Sequence, residues 1–253
     1  MGNSSNDLNR LDQQIRSQVL TMGADKVGVA DLTPVKKFVT WQGGPLLESF
    51  NRAISIGIRI SDAVVDSLFY RNNVMALMTY ETHVYGVVNR LLDQIASQVV
   101  RILQQADWYA FPIHASQAIQ MAPHFLGAFS HKLAAHLAGL GWIGRSCMLI
   151  TPEFGPRIRW ATVLTDAPLN PGIPLKNDCD SECGFCVTIC PAQAFTGRLF
   201  DPKEPRELRM DANACYMHLD ARKEQTGARV CGLCVAVCPH GRNTSQDSSN
   251  QDL

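Results

Sequence analysis

The sequence lacks three features that would point to a membrane, secreted or nucleic-acid-binding protein. No uninterrupted apolar run approaches the roughly 18 residues that a membrane-spanning helix needs. The opening residues, MGNSSNDLNR, lack the basic-then-apolar order of a secretion signal. Lys plus Arg and Asp plus Glu number 23 each, so no net positive charge gathers nucleic acid or anionic lipid. We expect a folded, cytoplasmic protein that does not act at a membrane, and a nucleic-acid partner is disfavoured.

Cysteine is scarce over most of the chain and concentrated in one segment. Of nine cysteines, Cys147 stands alone, and the other eight lie between Cys179 and Cys238. Eight clustered cysteines in a secreted chain would suggest disulfides, but cytosolic thiols are kept reduced. The cluster therefore predicts metal binding. Cys147 begins an apolar run, where a free cysteine behaves as a small hydrophobe.

The spacing of the eight cysteines indicates which metal they bind. Residues 179–191 read CDSECGFCVTICP and residues 231–239 read CGLCVAVCP, so both halves contain CxxCxxxCP. Bacterial two-cluster ferredoxins use a near-identical run, in which the cysteine before proline ligates the other cluster. The pattern predicts two [4Fe-4S] clusters, one held by Cys179, Cys183, Cys186 and Cys238 and the other by Cys190, Cys215, Cys231 and Cys234. Paired four-cysteine zinc sites are the alternative, although zinc does not require a cysteine before proline in both halves.

The segments before the cysteines predict a mixed α/β domain. A helical stretch, LNRLDQQIRSQVLTMG, precedes two short apolar runs, KVGVA and AISIGIRI. A long helix is predicted from about Met75 to Gln105, with a core-facing stripe of Val84, Val88, Leu91, Ile95, Val99 and Ile102. Further on, WYAFPI, CMLI and IRWATVLT predict strands, and a helix from about Ser130 to Ala138 ends at Gly139.

Composition also suggests where the domains divide. The segment DAPLNPGIPLKND, residues 166–178, carries three prolines and predicts a linker. The final stretch, GRNTSQDSSNQDL, is too polar to bury much surface. We predict a cofactor and substrate domain at 1–168, a double-cluster ferredoxin-like domain at 169–240, and a polar tail at 241–253.

The segment SHKLAAHLAGLGWIGRSCMLITPEFGPRIRWATVLTDAPL, followed by the two cysteine groups, resembles the short members of the epoxyqueuosine reductase family. The resemblance covers most of residues 15–240. It implies an N-terminal α/β domain of nitroreductase-like fold, related to that of reductive dehalogenases, which holds a cobalamin against the ferredoxin domain. In that family the clusters pass electrons to cobalt, which attacks the substrate.

The resemblance also implies which residues contact the corrin. AGLGWIGR matches the family's loop beside the corrin, and glycines there would allow close approach while tryptophan offers an apolar face. HASQ and TPEFGPR lie where the family lines its pocket. The implied cofactor-binding residues are Gly139, Gly141, Trp142, Gly144, Arg145, His114, Ser116, Pro152 and Gly155. No separate corrin-binding signature such as DxHxxG is present, so cobalamin rests on the resemblance.

The chain departs from the long family members at the proton donor. Their aspartate aligns with Phe125, which cannot act as a general acid. His124, His131 or Tyr85 could supply the proton instead, although an isolated histidine commonly serves as a structural hydrogen-bonding residue. The long members also carry a C-terminal helical-repeat extension, which makes a transfer RNA substrate doubtful here.

Two functions therefore remain open. The first is a cobalamin-dependent reductase of a small molecule, supplied with electrons by an external low-potential donor such as ferredoxin or flavodoxin. The second is a ferredoxin-type electron-transfer protein that serves a partner protein or a flavin. The sequence leaves the substrate and the oligomeric state open.

Overall fold

The protein, described here as a computed structural model over residues 5–116, 118–120 and 126–242, combines helices with a small antiparallel sheet. The helices of the N-terminal part are α1 (Ser5–Thr21), α2 (Lys36–Gly43), α3 (Asp62–Asp66), α4 (Val74–Tyr80), α5 (Asn89–Gln105) and α6 (His131–Leu137). Its strands are β1 (Lys26–Asp31), β2 (Arg52–Arg59), β3 (Ala110–Ile113), β4 (Ala118–Gln120), β5 (Leu126–Gly127), β6 (Trp142–Ile143), β7 (Leu149–Ile150) and β8 (Ile158–Thr165). The cysteine-rich part adds α7 (Phe185–Thr188), α8 (Ala212–Thr226) and α9 (Leu233–Ala236).

The main sheet has the strand order β1-β2-β8-β3, and every neighbouring pair is antiparallel. Six consecutive residues of β2 are buried, because helices cover both faces of the sheet. One core joins α1 and α5 to the sheet, and a second core forms against α2 and α6. The mixed α/β fold predicted from the sequence is confirmed.

The predicted long helix is present, but one residue of its core-facing stripe is wrong. Residues 74–105 form a continuous helix whose middle segment, Glu81–Val88, is a π-helix. Leu91 is 44% exposed, and Leu92 is buried instead. Ile95, Val99 and Ile102 are buried as predicted, so the difference is confined to one turn at the start of α5. Leu91 and Leu92 both fit helical spacing after Val88, and spacing alone does not choose between them.

The glycine after α6 caps the helix as predicted. Gly139 has φ +74°, and the amide of Leu140 donates to the carbonyl of Ala135, which closes the last turn. The predicted strand CMLI is shorter than expected, since only Leu149 and Ile150 pair, with β6. Cys147 precedes that strand in a turn at φ +54° and is buried, so it packs as predicted but not within a strand.

The cysteine-rich part shares a core with the N-terminal part. Leu77, Tyr80 and Val84 pack with Val230 and Leu233 in one buried cluster. The intervening residues 166–178 form neither helix nor strand, and Ala167 and Leu169 are buried in the core with α1 and α5. The linker stays a prediction. The division at residue 168 remains a prediction, and the predicted tail lies outside the described residues beyond position 242. Among the described helices, none has both the length and the apolar character needed to span a bilayer.

Candidate functional site

Four cysteines surround one cavity at the outer side of the cysteine-rich part. All nine cysteines of the chain are free thiols. A small cavity is lined by Cys179, Cys183, Cys186 and Cys238, which we call the outer thiol group. Burial and the neighbouring thiols raise the pKa of Cys186 to about 11 and that of Cys238 to about 12. Three thiols from the first motif thus meet the pre-proline thiol of the second.

The other four thiols form a second set closer to the N-terminal part. Burial raises the pKa of Cys234, followed by the effect of Cys231, Cys215 and Cys190 and, last, of Cys186 from the outer group. The four larger contributors to this site, including Cys234 itself, are the thiols that the sequence assigns to one cluster. We call these four the inner thiol group. The grouping follows the crossed pattern that the spacing predicts, and its donors suit iron-sulfur clusters, which are held by four thiolates. In the described ranges, no three His, Cys, Asp or Glu side chains are arranged to hold a single metal ion.

Local hydrogen bonds shape the loops that carry these thiols. The Asn177 side chain accepts a hydrogen bond from the amide of Cys179 at 2.8 Å, which fixes the start of the first motif. Arg145 donates to the carbonyls of Gly197 and Ser181 and so joins the turn after β6 to the outer loops. In the second motif, Gly232 adopts φ +71°, and a Cβ there would lie 3.0 Å from Cζ of Tyr80. Glycine at position 232, between Cys231 and Cys234 in the chain, allows the ring of Tyr80 to pack closely against this backbone.

The glycines of the AGLGWIGR loop face protein atoms. A Cβ on Gly139 would lie 2.5 Å from the carbonyl oxygen of Ile173, and one on Gly141 would overlap the carbonyl of Ile150. A Cβ on Gly144 would lie 3.3 Å from Sγ of Cys179. The close approach that these glycines permit is therefore to the linker, to β7 and to the outer thiol group. Their role in holding a macrocycle stays a prediction.

The remaining predicted residues of this loop region also contact the cysteine-rich part. Trp142 is 3% exposed, and its ring packs edge-to-face against His240 at 5.1 Å between centroids. Gly155 is buried directly against the carbonyl of His240, and Pro152 lies exposed in the same turn. This turn therefore connects β7 and β8 to the segment that follows Cys238.

A separate polar cluster lies next to the inner thiol group, and we name it the Arg159 cluster. Arg159 donates to Asn89 Oδ1 at 3.1 Å and to Ser116 Oγ at 3.0 Å. Its guanidinium lies 4.6 Å from the ring centroid of Tyr85, which is 45% exposed. His114 lies beside it, with Nδ1 3.6 Å from Oδ2 of Asp93. Tyr85 also packs edge-to-face on Tyr80, 6.2 Å between centroids, which connects the cluster to the inner thiols.

Arg159 and Asn89 were not among the site residues predicted from the sequence. Arg159 lies in β8, a strand whose other residues are apolar or threonine, and Asn89 is a buried polar residue in the first turn of α5. A charged side chain inside an apolar run was the available signal, because a buried charge must find a partner. The predicted residues thus separate into two places: Tyr85, His114 and Ser116 with Arg159, and the glycine-rich loop with the outer thiols.

His131 is held by hydrogen bonds on both ring nitrogens. Nδ1 lies 2.7 Å from Thr162 Oγ1, and Nε2 lies 2.9 Å from the carbonyl oxygen of His114. Since a carbonyl only accepts, Nε2 carries the proton and the Thr162 hydroxyl donates to Nδ1. Burial lowers the pKa of His131 to about 4. The neutral imidazole ties α6 to the sheet, which matches the structural role. The proposed donor His124 and the position Phe125 lie outside the described residues.

The buried His131 predicts a stability that depends on pH. Its folded pKa of about 4 lies below the ordinary value of 6.5, so between these values the unfolded chain binds the extra proton. The contribution is fully present above pH 6.5 and is lost as the pH falls toward 4, at most about 3 kcal/mol. Urea midpoints at pH 7 and pH 5 should differ less for His131→Gln than for the wild type. Equal differences would contradict the assignment.

The comparisons with known proteins agree with the two thiol groups. A family model described as a 4Fe-4S dicluster domain matches residues 178–242. An epoxyqueuosine reductase from Bacillus anthracis is 23% identical over 96% of this chain and 67% of its own length. The chain is similar to the epoxyqueuosine reductases over most of its length. A tetrachloroethene reductive dehalogenase from Desulfitobacterium hafniense is 31% identical over 58% of this chain and 26% of its own length.

Solved structures of both kinds of relative share the fold of the chain. A reductive dehalogenase superimposes with a TM-score of 0.68 at 19% identity, covering 96% of this chain and 33% of the other. An epoxyqueuosine reductase bound to a modified tRNA stem loop gives a TM-score of 0.60 at 17% identity, covering 92% and 66%. The chain therefore spans about two thirds of that epoxyqueuosine reductase and a third of the dehalogenase. The resemblance expected from the sequence is confirmed, with an iron-sulfur domain at its C-terminal end.

Proposed function

We propose that this relative of the epoxyqueuosine reductases is an iron-sulfur reductase that moves electrons from its outer to its inner thiol group and on to a cofactor beside the Arg159 cluster. The cofactor is proposed to be a cobalamin and the substrate a small molecule. The observation that carries the proposal is the sorting of eight thiols into two sets of four, one at the surface and one against Tyr80. When bound, the clusters carry single electrons and the cobalamin supplies the bond-breaking redox chemistry.

The outer thiol group suits electron entry. Cys183 lines the cavity and also the more open depression beside Asp178, Asp180, Glu182 and Phe185, whose side chain is 59% exposed. A donor such as ferredoxin or flavodoxin can approach this side of the molecule. The inner thiols Cys231 and Cys234 pack against the buried cluster that contains Tyr80 and Leu233. This contrast supports electron entry at the outer group and transfer inward.

The Arg159 cluster suits binding of cofactor and substrate. Arg159 has no carboxylate partner within ion-pair distance among the described residues. Its charge is directed by Asn89 and Ser116 toward the exposed ring of Tyr85. A cation held in this way can bind an anionic or amide oxygen, and the Tyr85 hydroxyl is available there to hold and deliver a proton.

The glycine-rich loop favours the second function. A Cβ on Gly139, Gly141 or Gly144 would meet protein atoms, which supports a structural role for these glycines in the second function. If the Arg159 cluster alone does not hold cobalamin, the chain is an electron-transfer protein that serves a flavin or a partner protein. The two functions differ in cofactor and share the same clusters.

Cobalamin binding separates the two functions. We expect the protein, prepared without oxygen, to hold about eight irons per chain and to take up one added cobalamin with a change in its visible spectrum. Arg159→Gln should weaken that uptake at unchanged iron content, whereas the exposed Arg198→Gln should not. An iron-loaded protein that takes up no cobalamin, but binds a flavin or ferredoxin, would establish the second function.

The substrate class and the domain arrangement are part of the same proposal. We propose a small molecule as the substrate, and the relative solved with a tRNA stem loop makes transfer RNA the competitor to test. Incubation of the reduced protein with a modified stem loop, followed by mass analysis, decides between them. We further propose that residues 1–168 have a nitroreductase-like fold; the antiparallel sheet flanked by α5 and α6 supports it.

A further inference from the structure

The polar side chains of the Arg159 cluster orient one another through hydrogen bonds. Arg159 Nε can only donate, so the atom of Asn89 that lies 3.1 Å from it is the carbonyl oxygen Oδ1. The amide nitrogen of Asn89 then faces Ser116 and donates to its Oγ at 2.8 Å. Asn89 is 5% exposed, so protein contacts rather than solvent set this orientation. The network therefore fixes which atoms of the cluster still have a hydrogen to donate.

The hydroxyl of Ser116 has one proton that no described residue accepts. Its Oγ accepts from Asn89 Nδ2 at 2.8 Å and from Arg159 Nη2 at 3.0 Å, which uses both of its lone pairs. Toward any third group the hydroxyl can therefore act only as a donor. Ser116 is exposed, so this proton is left for solvent or for a ligand.

Arg159 keeps a second free donor. Its Nε and Nη2 donate to Asn89, to Ser116 and to the carbonyl oxygen of Ala115, whereas Nη1 has no partner among the described residues. The ring centroid of Tyr85 lies 4.6 Å from the guanidinium carbon, and Tyr85 is 45% exposed, so the cluster is accessible from the surface. The cluster thus presents a cationic N–H donor and a neutral O–H donor that belong to one hydrogen-bond network.

The carboxylate of the cluster is already engaged within the protein. Asp93 Oδ1 accepts from the amide of Ala115 at 2.9 Å, and Oδ2 lies 3.6 Å from Nδ1 of His114. Both of its oxygens therefore face protein donors, whereas Arg159 and Ser116 keep hydrogens to donate. A site of this kind is complementary to a group that only accepts hydrogen bonds and carries negative charge.

We propose that Arg159 Nη1 and Ser116 Oγ bind a carboxylate of the substrate, so that the substrate class is a small carboxylic acid. A carboxylate has two oxygens that only accept, and one cation with one hydroxyl supplies two donors and one balancing charge. A phosphate group carries more negative charge and more acceptor oxygens than these two donors satisfy. The inference rests on the proposed function in treating the Arg159 cluster as the substrate site, and it goes beyond that function by naming the group bound there.

The test is a binding measurement at pH 7 with matched pairs of small probes, followed by ligand-observed nuclear magnetic resonance. The pairs are acetate with acetamide and benzoate with benzamide, which differ in charge and little in shape. We expect each carboxylate to bind the anaerobic, iron-loaded protein about tenfold more tightly than its amide, because hydrogen bonds to a charged group are the stronger ones. Inorganic phosphate should bind no more tightly than acetate.

Two variants and one control assign the preference to the cluster. Ser116→Ala keeps the net charge and should weaken the binding of benzoate about tenfold, because it removes one hydrogen bond to a charged group. Arg159→Gln should reduce the preference for benzoate over benzamide to less than about twofold. The control Arg198→Gln removes an equal charge at an exposed pair with Glu204 and should leave both dissociation constants unchanged.

The outcomes distinguish this inference from the proposed function, because iron content and cobalamin uptake are measured separately. Equal affinity for acid and amide, no binding of either carboxylate, tighter binding of phosphate, or a preference that survives in both variants overturns the inference alone. A carboxylate preference in a protein that takes up no cobalamin supports the inference and overturns the proposed cofactor. If Arg159→Gln does not fold, Ser116→Ala decides the question, since the side chain it removes is exposed.

Discussion

Replacing Cys234 by alanine is expected to halve the iron content of the anaerobically prepared protein, from about eight atoms per chain to about four. Cys234 lies in α9, inside the core that the cysteine-rich part shares with α4 and the π segment. Its thiol interacts most strongly with Cys231, Cys215 and Cys190, and a cluster that loses one of its four thiolates is expected to be lost. Iron and sulfide analysis, together with the colour of the protein, measure the loss.

Cys147→Ser is the matched control for that experiment. Cys147 is also buried and lies between Lys132 and Arg209, yet it belongs to neither thiol group. Serine keeps the volume and a polar atom toward Arg209, so iron content should stay at the wild-type level. Loss of iron in Cys147→Ser, or full iron in Cys234→Ala, would show that the ligand assignment is wrong.

Local sequence pattern was sufficient for the elements that are defined by short-range spacing. Each cysteine motif contains a short helix, and α7 and α9 each contain the second cysteine of a CxxC and end before the cysteine that precedes proline. The crossed grouping of the thiols followed from the likeness to two-cluster ferredoxins. Strands β2 and β8 were recognisable because both faces of the central sheet are covered, which leaves long apolar runs. The cap at Gly139 followed from its position after α6.

Long-range packing decided what the sequence could not predict. The sequence of a glycine-rich loop does not show whether its backbone packs against a cofactor or against another segment of the chain. Here Gly139 and Gly141 pack against Ile173 and Ile150. Arg159 was passed over because its importance depends on Asn89, a residue far away in the chain. Leu91 and Leu92 both fit helical spacing after Val88, and packing places Leu92 in the core.

Two glycines bring the backbones of the N-terminal part and the cysteine-rich part into direct contact, so Gly155→Ala should destabilise the protein. Gly155 has φ +53°, and a Cβ there would fall on the carbonyl oxygen of His240, while Gly241 is pressed in the same way against Phe154. Alanine adds about 1 kcal/mol of left-handed backbone strain and about 1–3 kcal/mol of overlap that only a shift of the backbone relieves. We expect the melting temperature to fall by about 6–12 °C.

The variant Gly227→Ala measures the cost of the backbone strain without that of the steric overlap. Gly227 has φ +79°, but nothing lies within 4 Å of the position its Cβ would take, so only the backbone strain remains. Its melting temperature should fall by about 2–4 °C. Because His240 follows Cys238 by two residues, Gly155→Ala should also release iron from the outer thiol group faster than Gly227→Ala. Equal losses of stability and iron in the two variants would mean that this backbone crossing does not hold the outer cluster against the sheet.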